Sequence, residues 1–342
     1  MTAIQTPPDE RAPNGDRRRL VQVLLAVAVL LVAADAGLAW AIDRHRATSA
    51  MNRMVVAGKW DHLASAPAYD AILVGDSSGL FGADAALIGR LTGLRCYNAC
   101  AFGSLGLANE AWLMQFLAEQ GRLPKVVVAI HVHDIWPRDA SVVLGRLDAF
   151  EGAPWERWEP RLTAARGSWR MQDAIPLAAA PRDAQAMLLG RWYDAIGHER
   201  LRADGSGILP QPDVRLVRSD VAAARERLAR AATAAPVLSP FTRASLAAMH
   251  AVVLRHPVRL VFAEAPVAEA LAADPAYQRH LERVRSEVIG CFPGASVAWI
   301  ASGRRGYPEQ DMQNADHLAA PDDRADFSTR IGTALQQLLP AR

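Results

Sequence analysis

Cysteine, net charge and aromatic content are all low in this chain of 342 residues, with three cysteines, a formal charge of +2 and 6% aromatics. Each scarcity removes a class of function. Cys96, Cys100 and Cys291 have no metal-ligand spacing that includes a nearby histidine pair. Cys96 and Cys100 are close enough to pair in an oxidising compartment, and buried free thiols are the other reading. The arginines are spread along the chain rather than gathered into a stripe, so the electrostatic footprint of a nucleic-acid-binding protein is missing. What is present is apolar: 51% hydrophobic against 22% charged, enough for one large core or two smaller ones.

The N-terminal segment reads as a membrane anchor. Residues 1–19 are polar and end in Arg17-Arg18-Arg19, a cytoplasmic tail by the positive-inside rule. From Leu20 to Ile42 the chain is almost wholly apolar, broken by Gln22 and Asp35. A helix of that length spans roughly 34 Å, enough for the hydrocarbon core of a bilayer. Asp35 lies toward the distal end, and Trp40 suits the interfacial aromatic belt. The alternative is a cleaved signal peptide, for which Ala34-Asp35-Ala36 offers small residues at the right spacing. Both readings place the main domain outside the cytoplasm, with residues 43–66 as a linker and 67–342 as the main domain.

After the linker, apolar runs alternate with helix-like segments. Strands are expected at Ala71–Val74, Arg95–Ala101, Lys125–Ile130, Val258–Ala263 and Ser296–Ile300. Helices are expected at Ala83–Leu91, Leu107–Glu119, Ala276–Ile289 and Phe327–Leu339. Continuous β-branched runs separated by helices predict an α/β fold with a parallel sheet covered on both faces. From about 152 to 250 the alternation stops. That stretch, rich in Trp, Arg, Ala and Pro with a helix over Ser219–Ala232, reads as a largely helical insertion. Packing within it is the expected role of Trp155, Trp158, Trp169 and Trp192, and lining a binding groove is the alternative.

The chemistry-bearing residues stand at strand ends. Ala71-Ile-Leu-Val-Gly-Asp-Ser-Ser78 delivers Ser77 to the carboxyl edge of the sheet, where open α/β folds bind ligands. The same Asp76-Ser77-Ser78 is also good helix-capping chemistry. Near the other end, Asp311-Met-Gln-Asn-Ala-Asp-His317 places a histidine between the last strand and the last helix, on the same edge. A serine hydroxyl is a weak nucleophile until a neighbour accepts its proton, and His317 suits that task. Asp316, Asn314 or Asp311 can orient the imidazole.

These blocks resemble the SGNH (GDSL-like) hydrolase superfamily over residues 67–140 and 257–340. Gly75-Asp76-Ser77 is similar to its first block, and Tyr97-Asn-Ala-Cys-Ala-Phe-Gly103 to its second. The third block usually reads Gly-x-Asn-Asp, where this chain has His131-Val-His133-Asp134. The last block usually has Asp three residues before His, where this chain has Asn314, with Asp316 adjacent to His317. The resemblance implies a flavodoxin-type three-layer sandwich, Ser77 as nucleophile and His317 as base. It implies an oxyanion hole from the N–H groups of Ser77 and Gly103, with His133 in place of the usual Asn. Membrane-anchored relatives that acylate bacterial cell-surface polymers are the nearest in organisation. They imply an acylated, chiefly acetylated, polysaccharide as substrate, no cofactor, and a membrane acyltransferase or polysaccharide synthase as partner at the inner membrane.

The departures leave alternatives. Either Asp316 takes the place of the usual carboxylate, or a Ser-His dyad operates, or the protein binds glycan without turning it over. Histidines at i and i+2 on a strand also share a face, so His131 and His133 admit a metallohydrolase reading with Asp316 and His317.

Overall fold

In the computed structural model, residues 14–48, 55, 58–101, 103, 106–138, 200–208, 212–231, 236–301 and 306–339 are described. The chain divides into two units, one of residues 1–45 with 168–192, the other of 46–167 with 193–342. The described part of the first unit lies in α1 (Asn14–Thr48), a helix about 52 Å long at 1.5 Å per residue. Its side chains are described at 18–34, 36 and 37, and Leu20, Val23, Leu25, Val29, Leu31 and Val32 are all exposed. Among the described residues, no helix is long and apolar enough to cross a membrane.

The second unit is built on five strands. In chain order its elements are α2 (Gly58–Ser65), β1 (Ala71–Gly75), α3 (Ser77–Gly82), α4 (Ala85–Thr92), β2 (Cys96–Asn98), α5 (Ala108–Glu119) and β3 (Val126–His131). There follow a hairpin of β4 (Arg200–Leu201) and β5 (Gly207–Ile208), then α6 (Val214–Ala231), α7 (Pro240–Arg255) and β6 (Arg259–Glu264). The chain closes with α8 (Glu269–Ala272), α9 (Pro275–Gly290), β7 (Val297–Ile300) and α10 (Pro321–Leu338). All pairings in the large sheet are parallel, in the order β2-β1-β3-β6-β7.

That order explains the helices. The chain steps from β1 to β2 in one direction, and from β3 through β6 to β7 in the other. Right-handed crossovers then place α4 on one face and α5, α7 and α9 on the other. The packing agrees, since α4 lies against α10, and α5 against α7. Covered on both faces, the central strands are apolar throughout: β1 and β3 are buried at every position.

Several boundaries differ from the sequence reading. Residues 43–66 are not a plain linker, because α1 continues to Thr48 and α2 buries Lys59, Trp60 and Leu63 in the core. Trp60 packs against Phe116 of α5 with ring centroids 5.2 Å apart. The insertion also ends earlier than 250, and its described part holds a short hairpin beside its helix. The β4–β5 hairpin lies within it, and α7 starts at Pro240 with Ser239 capping Thr242 N–H. That helix is the crossover between β3 and β6. Trp155, Trp158, Trp169 and Trp192 lie outside the described residues.

Candidate active site

The turn after β1 is defined by Gly75. Its φ of 143° suits glycine, and a Cβ there would overlap the carbonyl oxygen of Ile130 on the neighbouring strand. This lets Asp76 N–H donate to the same Ile130 carbonyl at 3.3 Å and pins the turn to β3. Asp76 then caps α3: its Oδ1 accepts from Ser78 N–H at 2.9 Å and from the Ser78 hydroxyl. The capping and nucleophile readings of this tripeptide are therefore compatible. Asp76 and Ser78 hold each other, and Ser77, the first residue of α3, keeps its hydroxyl for another partner.

That partner is His317. Its Nε2 lies 2.9 Å from Ser77 Oγ, across 240 residues of sequence. The loop carrying it is closed by Gln313 N–H on His317 O at 2.9 Å, and by the N–H groups of Ala319 and Ala320 on Asp311 O, both at 2.9 Å. Phe81 of α3 meets the imidazole edge-on at 5.4 Å. Burial pushes the His317 pKa down to about 4, against the opposing charge of Asp76. The ring is therefore neutral at pH 7. To accept from the Ser77 hydroxyl at Nε2, the ring must carry its proton on Nδ1.

None of the three expected orienting residues reaches Nδ1. Asp316 Oδ1 lies 3.6 Å from Nε2, on the Ser77 side of the ring. Asn314 Oδ1 caps Asp316 N–H at 3.0 Å, and Asp311 serves the loop through its carbonyl. Burial, then the charges of Asp76, Asp134 and Asp220, raise the Asp316 pKa well above the usual carboxylate range, opposed by Arg138. Among the described residues the geometry is that of a Ser-His dyad with an unusually basic carboxyl beside it.

Gly103 abuts the same turn. A Cβ on it would lie 3.2 Å from Asp76 Cβ, and its carbonyl accepts from Arg138 Nη1. His133 is buried, with its ring edge-on to Tyr277 at 5.4 Å and its carbonyl accepting from His280 Nε2 at 3.1 Å. Both of its ring nitrogens lack a hydrogen-bond partner among the described residues. Burial lowers its pKa to about 4, so the ring is neutral with one N–H to donate. No contact joins it to Ser77 or His317 among the described residues.

His131 and His133 do not converge. His131 Nε2 is engaged by Glu110 Oε2 at 2.8 Å, and among the described residues no group of three His, Cys, Asp or Glu side chains is arranged to hold a metal.

The roles of three supporting residues, Glu110, Asn98 and Lys59, are not evident from the sequence. Glu110 was visible only as a lone acid in the apolar stretch of α5. Asn98, wholly buried, donates from its amide to Gly79 O and Ala83 O at 3.0 and 3.1 Å and accepts from Cys100 N–H at 3.0 Å. It thereby ties the second block to the helix bearing Ser77. Lys59 donates to the carbonyls of Asn98 and Cys100 at 2.8 and 2.7 Å, and burial lowers its pKa to about 7. The three cysteines are free thiols. No protein-family model and no curated protein matches the chain.

Proposed function

We propose that the protein is a membrane-anchored, periplasm-facing serine esterase or O-acyltransferase of SGNH type, acting on acyl esters, chiefly acetyl, of a cell-surface polysaccharide. The observation that carries this reading is the 2.9 Å contact of His317 Nε2 with Ser77 Oγ. Both residues follow strands of a parallel sheet whose order, counted along its five strands, runs 2-1-3-4-5. Flavodoxin-type sheets with that order bind ligands at the carboxyl ends where the winding reverses, between β1 and β3. Ser77 stands there. The apolar stretch Leu20–Ile42 behind three arginines supports the anchor.

In the first half-reaction Ser77 Oγ attacks the ester carbonyl while His317 Nε2 takes the hydroxyl proton. The backbone N–H groups of Ser77 and Gly103 hold the oxyanion. Collapse expels the alcohol, which leaves with the proton from His317, and the acyl group stays on Ser77. In the second half-reaction His317 takes a proton from water or from a sugar hydroxyl, and that oxygen attacks the acyl-serine. Collapse returns the proton to Ser77 Oγ. This acyl transfer through serine needs no cofactor. With no carboxylate on Nδ1, the charge of Asp76 is the one that favours the imidazolium formed in each step.

The missing Nδ1 partner is also the observation that favours a second reading, a glycan-binding or assembly protein serving a polysaccharide synthase or membrane acyltransferase. The deciding experiment incubates the full-length protein in detergent with O-acetylated polysaccharide fragments, following acetate release and acetyl transfer between chains by mass spectrometry. Turnover that vanishes in Ser77→Ala supports the enzyme. Glycan binding that survives Ser77→Ala, with no turnover in the parent, favours the second reading.

A further inference from the structure

We propose that His131, as an imidazolium held between Glu110 and Asp76, is a positioning residue that keeps Ser77 aligned for acyl transfer; this rests on the reading of Ser77 and His317 given above. His131 ends β3, one residue beyond the Gly75–Ile130 pairing. Its Nε2 lies 2.8 Å from Glu110 Oε2 on α5, and its Nδ1 lies 3.7 Å from Asp76 Oδ2 in the nucleophile turn. All three side chains are buried, with residue exposures of 3% or less. Asp76 Oδ2 also accepts from Val132 N–H at 2.9 Å, while its Oδ1 accepts from both polar groups of Ser78. One carboxylate therefore joins Val132, which follows the cation, to Ser78, which follows Ser77.

Two buried carboxylates this close cannot both stay ionised without a cation between them. The ring supplies that charge. Burial works against it, but the carboxylates of Glu110 and Asp76 outweigh burial and raise the His131 pKa to about 9. Nδ1 has no hydrogen-bond partner among the described residues, and the groups around the ring come from several elements. Asp76 comes from the β1–α3 turn, Glu110 from α5, and the Trp136 ring meets it edge-on at 5.1 Å. The Cys100 thiol interacts with Asp76 and Glu110, with the Lys59 amine beyond it. From β6, Ala265 N–H donates to His131 O at 3.2 Å, and Glu264, paired in register with His131, accepts from Trp299 Nε1 at 3.0 Å. Loss of the proton leaves Asp76 and Glu110 to repel each other across a neutral ring, and the turn presenting Ser77 relaxes.

The test follows the rate at which a fluorophosphonate labels Ser77 in the full-length protein in detergent, from pH 6 to 10.5, with His131 titration read by NMR of the imidazole. In the parent, labelling falls on the alkaline side with a midpoint that coincides with the His131 titration. In Glu110→Gln the ring loses its strongest ionic partner, and both midpoints move to lower pH by about one unit or more. In His131→Gln the alkaline fall disappears, and kcat for an activated ester drops with KM little changed. A merely structural role would depress labelling equally at every pH, and an alkaline midpoint unmoved in Glu110→Gln overturns the proposal. A parent that never labels at Ser77 overturns the acyl-transfer reading as well, even if NMR finds the His131 cation.

Discussion

Replacing Lys59 by methionine should destabilise the protein at high pH and not at low pH. Lys59 is one of two lysines in the chain, and the other, Lys125, is exposed on the surface. In the folded protein Lys59 is depressed from 10.5 to about 7, so the unfolded chain binds more protons between those values. Stability therefore rises with pH through that window, and below pH 7 the burial cost is fully present, on the order of 4 kcal/mol. Against it stand the bonds to the carbonyls of Asn98 and Cys100, each costing about 1–3 kcal/mol if its acceptor is left unpaired. Lys59→Met removes both effects. At pH 9.5 the lost bonds dominate and the variant is less stable than the parent. At pH 6.5 relief of the buried charge offsets them, leaving the variant equal or more stable. The difference between the two pH values should be about 3 kcal/mol. His131 acts in the same window with the opposite sign: raised from 6.5 to about 9, its contribution is full below 6.5 and lost as pH rises through 9. Since both proteins carry it, it cancels in the comparison. Denaturant unfolding of the two full-length proteins at both pH values is the assay. A variant destabilised by the same amount at each would refute the reasoning.

Other outcomes follow from the same geometry. Gly75→Ala combines a φ of 143° with a Cβ that overlaps Ile130 O, and should cost about 2–6 kcal/mol, read as a fall in thermal midpoint or loss of soluble protein. Asp316→Asn should change kcat by less than about tenfold, because Asp316 lies beside Nε2; a fall near 10⁴ would make it a triad carboxylate instead. The His317 base is neutral above about pH 4, so the acid limb of kcat/KM should lie near that value, with activity undiminished at pH 6. An acid limb near 6.5 would mean that His317 is not buried as described.

The strands were legible in the sequence because a parallel sheet covered on both faces demands continuous apolar runs, and Val126–Ile130 and Leu260–Ala263 supply them. The Ser77–His317 pair was legible because both stand where strands deliver residues to one edge. Helix α2 was not, since Gly-Lys-Trp-Asp-His reads as polar linker. Lys59 is buried only because two carbonyls some forty residues away accept from it. Helix α10 begins at Pro321 rather than at the expected Phe327, and a proline in the first turn is the start signal. The environment of the imidazole was hidden for a different reason. Asn314 and Asp316 were visible as candidates, but the loop closure through Asp311 O decides which side of the ring they meet. The part played by His131 depends on Glu110, a residue from a different element whose approach no local pattern encodes.

Trapping the acyl-enzyme is the measurement that bears most directly on the central claim. The full-length protein is mixed with an activated acetyl ester, quenched with acid within the first turnover, and its peptides are mapped by mass spectrometry. Acetyl should appear on Ser77, and be absent from Ser77→Ala and strongly reduced in His317→Ala. Acetyl carried by a different residue, or present in equal amount in the Ser77→Ala protein, would contradict the assignment of Ser77 as the nucleophile.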